Sequence, residues 1–253
     1  MQTSTNLLEA IPYQLIAHRG GIVEDRFTEY DPRSLQAAVD GGYWMLEVDI
    51  WTTRDGVLVL HHDDNLKRVF GQPGRISELT WAELQPLRAP KGGYGLMKFE
   101  DVAARCAGKV KLMIDRKPPR PTAEFYGELE RILRKYDLLA DAYFIDPLAL
   151  PYFWGKSRFG FRLSELPRIK EMVLKGEDVA CHYFLFDHGN VLSSDAVRWC
   201  QQHSIAVVPS VNIFHYRYEN HRRGAERDIR FLQACGVREY QIDSDYDDWL
   251  GHQ

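Results

Sequence analysis

Trp44-Met45-Leu46-Glu47-Val48-Asp49-Ile50 is a β-rich run in which two acids stand two residues apart. Alternate side chains of a strand share one face, so a strand here carries both carboxylates to the same side. Seven further β-rich runs lie at 14–17, 111–115, 142–146, 159–163, 182–187, 206–210 and 239–243. Between them, amphipathic windows at 34–41, 122–136, 164–175, 194–203 and 218–234 read as helices. Eight alternating βα units predict an α/β chain closed as a (β/α)8 TIM barrel. The rhythm breaks once, across 57–106, where an extra β-like run at 57–61 precedes turns and two short helical windows at 80–87 and 99–106. This stretch reads as a small, largely helical insertion after the second strand, within a single domain spanning 1–253. Thr80, followed three residues later by Glu83, predicts a capping box at one of its helices.

The 253 residues carry a net charge of −4. A nucleic-acid binder neutralises many phosphates with a broad basic face, and this balance argues against one. A small anionic substrate needs only local positive charge. Residues 1–12 lack the basic start and long apolar run of a secretory signal, and no apolar run approaches membrane-spanning length, so a cytoplasmic chain without stable membrane insertion is expected. Cys106, Cys181, Cys200 and Cys235 are widely spaced without a C-x-x-C pair, which predicts buried free thiols.

In a barrel of this kind the chemistry sits at the C-terminal ends of the strands. His18 and Arg19 end the first strand, Glu47 and Asp49 the second, and Asp115 with Lys117 the third. Glu47, Asp49 and Asp115 offer three carboxylates for one hard divalent cation, Mg²⁺ or Ca²⁺. Arg19, beside Gly20 and Gly21, is a candidate phosphate clamp, and Lys117 adds a point charge. A second imidazole follows the extra β run, and spacing alone leaves His61 and His62 both open. Two histidines at one mouth can divide the roles of acid and base. Arg162, His182, Asn212, His215 and Asp243 fall near the expected mouth as substrate-side candidates, and Tyr152-Phe153-Trp154 follows the fourth strand.

At these residues the sequence resembles the glycerophosphodiester phosphodiesterase family, within the wider phosphatidylinositol-specific phospholipase C-like barrels. The family's A-H-R-G is present as Ala17 to Gly20, its E-x-D as Glu47 and Asp49, its T-x-D-G as Thr53 to Gly56, and its H-D-x-x-L-x-R as His62 to Arg68. The last match selects His62 over His61 as the partner of His18. The stretch from Ile76 to Leu84 is similar to the family's helical insertion. Departures are equally clear: P-E-N-T becomes Thr28-Glu29-Tyr30-Asp31, keeping only Glu29; Asp115 replaces the Glu of E-x-K; and the W-T-x-N and T-D-x-P segments become Ser210-Val211-Asn212-Ile213 and Asp243-Ser244-Asp245-Tyr246. The resemblance implies metal-dependent hydrolysis of a small phosphodiester to an alcohol and a phosphomonoester of the glycerol 3-phosphate type, with or without a cyclic phosphate on the way. It assigns His18 and His62 to proton transfer, Glu47, Asp49 and Asp115 to the metal, and Arg19 and Lys117 to phosphate, with Glu29 in support. The alternatives are a phospholipase D or sphingomyelinase D-like lyase that releases a cyclic phosphate from lysolipids, and a non-catalytic phosphate-binding barrel. Oligomeric state is left open.

Overall fold

The computed structural model describes residues 13–21 and 28–251. The N-terminal reading of residues 1–12 lies outside them. Eight parallel strands close a barrel: β1 (Gln14–Ala17), β2 (Met45–Thr52), β5 (Lys111–Arg116), β6 (Tyr143–Phe144), β7 (Arg158–Phe161), β8 (Tyr183–His188), β9 (Ala206–Val211) and β10 (Glu239–Ile242). Closure is made by β1, which pairs with β2 on one side and β10 on the other. All eight strands fall where the sequence predicts them. Two more extend from the upper part of β2: β3 (Leu58–Leu60) pairs antiparallel with β2, and β4 (Met97–Lys98) antiparallel with β3.

The helices are α1 (Pro32–Asp40), α2 (Lys67–Phe70), α3 (Trp81–Leu84), α4 (Phe99–Cys106), α5 (Ala123–Lys135), α6 (Leu150–Phe153), α7 (Leu166–Leu174), α8 (Ser194–Gln202) and α9 (His221–Ala234). Local chemistry fixes several of their starts. Asp31 caps α1 by accepting from the Arg33 N–H, with Pro32 at the first helical position. Thr80 and Glu83 form the predicted reciprocal capping box on α3.

Strand alternation sorts the side chains into two cores. Inside the barrel, Ile16, Met45, Met113, Tyr143, Phe184 and Val208 form a plug. Residues two further along the same inner face are His18, Glu47, Asp115, Ile145, Phe186 and Ser210, so the plug's register delivers four polar groups to the mouth beside two apolar ones. Outward-facing Leu46, Val48, Ile50, Leu112 and Ile114 pack against the helical ring. A third cluster, with Val59, Leu66, Phe70, Ile76, Leu84, Tyr94 and Leu96 around Trp51, lies within the inserted stretch. Phe99, Val102, Ala103 and Cys106 of α4 pack instead with the barrel's outer core, as a barrel helix does. Cys106 and Cys200 are buried, but Cys181 is exposed and Cys235 half-buried, so the expected burial of all four thiols holds for two. No helix among the described residues is long and apolar enough to cross a membrane.

Candidate active site

The C-terminal ends of the strands surround a cavity of about 430 Å³. His18, Arg19, Glu47, Asp49, His62, Asp115, Lys117 and Arg162 all line it. Glu29 sits just behind, 9% exposed, and reaches the cavity through Arg19.

At the end of β1 the chain turns sharply. Arg19 takes a left-handed conformation (φ 52°) and Gly20 follows at φ 75°. That turn aims the Arg19 N–H at Glu47 Oε2, 2.8 Å away. At Gly21 a side chain has no room, since a Cβ there would lie 2.6 Å from the Ser34 carbonyl oxygen. The Arg19 guanidinium runs back to Glu29 Oε2 at 2.5 Å and lies over the Phe214 ring at 4.5 Å. Glu29 also accepts from Arg68, whose Nε donates to Asp63. Burial would raise the Glu29 carboxyl, but the two arginines outweigh it and hold its pKa below the usual value.

His18 has a partner that the sequence placed near the mouth as a substrate-side candidate. Its Nδ1 lies 2.6 Å from Asp243 Oδ1 at the end of β10, and a carboxylate only accepts, so Nδ1–H donates. The other carboxylate oxygen of Asp243 accepts from the Ile213 N–H at 2.7 Å. Burial alone would depress the His18 pKa; Asp243, through its hydrogen bond and charge, and Glu47 raise it above the ordinary value.

His62 arrives by a different route. Because β3 runs back antiparallel to β2, with Leu60 opposite Ile50, the His61 N–H reaches the Asp49 carbonyl at 3.1 Å and the next residue lands beside the carboxylates. Alternation then separates the neighbours. His62 faces the cavity, its Nδ1 2.8 Å from Asp63 Oδ1. His61 is buried in the insertion, stacked on Phe70 with ring centroids 5.8 Å apart, and burial lowers its pKa.

Glu47, Asp49 and Asp115 offer oxygens that all lie within 4.8 Å of one another. Lys117 bridges two of them, 2.6 Å from Asp49 Oδ1 and 2.7 Å from Asp115 Oδ2. Their attraction raises its pKa despite the burial that opposes it. Tyr30 braces the third side of the cluster: its hydroxyl donates to Asp49 Oδ2 and accepts from the Asp49 N–H. Burial, with the nearby Asp49 charge, pushes Glu47 up to about 8. Asp115 is likewise raised, chiefly by burial. Asp49 Oδ1 is buried and, despite the nearby ammonium, accepts no directed hydrogen bond. Three carboxylates converging this closely, with burial opposing their charges, are a donor set that fits a hard divalent cation.

Across the mouth stand Arg162, after β7, and His188, His215 and Arg217, at and after the ends of β8 and β9. His188 and His215 stack with centroids 3.8 Å apart. Burial and the neighbouring His188 lower His215 to about 4. Asn212 donates to Ser210, which bonds Gln241, while its own Oδ1 stays buried without a partner. His182 is absent from this cavity; it packs against Trp154, centroids 4.3 Å apart. Sequence reasoning gave no role to Tyr30, Arg68, His188 or Arg217. The usable signals were the retained Arg of H-D-x-x-L-x-R for Arg68 and the inner-face register of β8 for His188.

The sequence profile of the Glycerophosphoryl diester phosphodiesterase family matches residues 18–208. Among curated proteins, lysophospholipase D GDPD1 of Homo sapiens is 44% identical over 71 residues, 28% of this chain. The match spans only 22% of the human protein's length. Among solved structures, a glycerophosphodiester phosphodiesterase from Parabacteroides distasonis superposes with a TM-score of 0.71 at 21% identity, covering 95% of this chain and 98% of that one. A phosphodiesterase from Oleispira antarctica, solved in complex with the product sn-glycerol-3-phosphate, superposes with a TM-score of 0.68 at 20% identity, covering 94% and 96% of the two chains. Those identities carry the fold, while the profile match runs from the turn after the first strand into β9: the chain belongs to the glycerophosphoryl diester phosphodiesterase family.

Proposed function

We propose that this chain catalyses the divalent-cation-dependent hydrolysis of a glycerophosphodiester, or a closely related diester, to an alcohol and a phosphomonoester. One observation carries the reading: two carboxylate-held imidazoles share a cavity with a three-carboxylate cluster, two of whose members are buried and the third half-buried. Glu47, Asp49 and Asp115 would hold the ion, Mg²⁺ or Ca²⁺, which when bound offsets charge on the phosphate oxygens and acidifies the attacking hydroxyl. His62, oriented by Asp63, takes the proton of that hydroxyl. His18, whose pKa Asp243 raises, gives a proton to the leaving alcohol oxygen as its bond to phosphorus breaks and the new P–O bond forms. If the attacker is a neighbouring hydroxyl of the substrate, the product is a cyclic phosphate, which water opens with the two histidines exchanging roles. Arg19 and Lys117 lie within the carboxylate network, so they act on the phosphate through their fixed positive field and hold the acids in register. Glu29 ties Arg19 to Arg68, and Arg162 meets the alcohol from the opposite rim.

A second reading, diesters of lysolipids, is favoured by the lysophospholipase D likeness over 71 residues and by exposed apolar side chains in the loops above the mouth, Val191, Ile213, Phe214 and Tyr218. Phosphorus NMR of glycerophosphocholine and lysophosphatidylcholine, incubated with Mg²⁺, Ca²⁺ or chelator, tests both readings. Cation-dependent release of glycerol phosphate, abolished in His18→Ala and His62→Ala, is expected. Persistent cyclic phosphate would replace hydrolysis with a lyase reaction, and turnover undiminished in chelator would remove the metal from the proposal.

A further inference from the structure

We infer that the cavity wall opposite the carboxylates is a second anion subsite, built by Arg162 and Arg217, that selects diesters whose alcohol carries a further carboxylate or phosphomonoester. The inference rests on the hydrolytic reading above and names the substrate class of the same site. Around the ring of eight strands, β8 and β9 lie across from β2 and β5, and β7 across from β1, so this wall contacts the part of a substrate beyond its central phosphate.

The cations at the mouth divide into two kinds. Arg19, Arg68 and Lys117 are already matched to carboxylates at 2.5 to 2.7 Å. Arg162 and Arg217 are not. Arg162 pairs loosely with Asp187, at 3.7 Å, and donates to the Phe186 carbonyl at 3.3 Å, while the Leu163 and His188 N–H groups hold the two Asp187 oxygens at 2.9 Å. Arg217 lines the cavity and has no hydrogen bond or ion pair among the described residues. One loosely paired guanidinium and one unpaired among the described residues, lining the same cavity, present donors suited to a planar carboxylate or a phosphate.

The same wall is unsuited to a cationic head group. A quaternary ammonium is recognised by aromatic faces or by free carboxylates. Here an arginine already covers a face of each ring: Arg162 lies 5.0 Å from the centre of Phe186, and Arg19 4.5 Å from that of Phe214. Between the arginines, His188 and His215 stack, and burial together with the Arg162 charge lowers the His188 pKa. Asn212 Oδ1, buried and unpartnered, is left to accept from a hydroxyl or ammonium hydrogen of the same alcohol.

Glycerophosphoserine and glycerophosphoethanolamine differ by one carboxylate and give a matched test. Calorimetric titration of each into His62→Ala protein, or His18→Ala should the first not fold, measures affinity without turnover. The serine diester is expected to bind about tenfold more tightly, the size of one charge-assisted contact. Adding Arg217→Ala brings the ratio to within about twofold, and Arg217→Lys keeps part of it. Equal or undetectable affinities, or a preference that Arg217→Ala leaves intact, overturn the subsite. Glycerophosphoinositol against its 4-phosphate distinguishes the phosphomonoester from the carboxylate. Turnover by the parent protein is measured in parallel: the affinity preference without hydrolysis would reject the proposed reaction and leave the subsite standing, whereas hydrolysis with equal affinities would do the reverse.

Discussion

Replacing Asp243 with asparagine removes one acceptor and changes almost nothing in volume. In the parent, both carboxylate oxygens accept, one from His18 Nδ1–H at 2.6 Å and the other from the Ile213 N–H at 2.7 Å. An amide has a single acceptor oxygen, so the Asp243→Asn side chain must abandon one of the two donors. If its NH₂ faces His18, the imidazole is forced into the opposite tautomer, with its proton on the nitrogen meant to face substrate only when charged. If its oxygen faces His18, the Ile213 N–H is left opposing another donor. Either way the imidazolium loses its counter-charge. A charge-assisted hydrogen bond is worth about 1.5–3 kcal/mol, so kcat/KM on a glycerophosphodiester should fall by about tenfold to a hundredfold. Asp243 raises the His18 pKa, so its loss should also move the alkaline limb of the pH–rate profile to lower pH. The assay is initial rates from pH 5 to pH 9, with the thermal midpoint of each protein recorded. A variant that keeps its midpoint, loses less than threefold in kcat/KM and leaves the alkaline limb unmoved would refute the role given to Asp243.

Glu47 holds its proton up to about pH 8 when folded, against an ordinary value of 4.5, so across that interval the folded state binds the extra proton and stability falls as pH rises. Asp247 and Glu239, each raised to about 7 chiefly by burial, act in the same direction. In chelator the melting midpoint should therefore drop between pH 5 and pH 8, less so in Glu47→Gln, and saturating Mg²⁺ should flatten the slope; a midpoint that climbs with pH in chelator contradicts this account. Tyr30→Phe strips Asp49 of one hydrogen bond and leaves its buried N–H unpaired, a cost of about 1–3 kcal/mol. Weaker cation affinity by calorimetry and a lower midpoint are the expected results, and an unchanged cation affinity would remove Tyr30 from the support of the cluster. His61→Gln should lower the midpoint through lost stacking on Phe70 yet keep kcat/KM within about twofold, whereas a loss as deep as that of His62→Ala would show that the two histidines had been assigned to the wrong faces.

The barrel was legible because several strands write their own register: an apolar residue for the plug and, two positions on, a polar one for the mouth, as in Met45 then Glu47 and Met113 then Asp115. The two-residue β4 left no such trace, since a pair of residues has no period. The first-half site was equally plain, as its residues cluster within short motifs around His18, Glu47 and His62. What escaped are contacts that only closure creates. Tyr30 stands where the family pattern has another residue, and its hydroxyl meets Asp49 because a left-handed turn at φ 58° carries it there. Arg19 and Lys117 look in sequence like free phosphate clamps, but each lies beside acids brought in from other elements, at 2.5 Å for Glu29 and 2.6 Å for Asp49. Spacing along one chain cannot show which of several cations will find a carboxylate first, and that left Arg217 overlooked.

The seam between β1 and β10 also sets an order of events during synthesis. Ribosomes deliver the N-terminal strands first, so His18 emerges 225 positions ahead of the carboxylate that charges it. Through that interval a nascent chain holds Arg19, the carboxylate cluster and His62, yet lacks the counter-ion of its proposed acid. Docking of Glu239–Ile242 against Gln14–Ala17 completes the ring and seats Asp243 in one movement. Until then the backbone donors and acceptors along the outer edges of β1 and β9 stand open to any passing strand. Chemical competence and protection from aggregation are thus conferred together, by the strand that leaves the ribosome after the other seven.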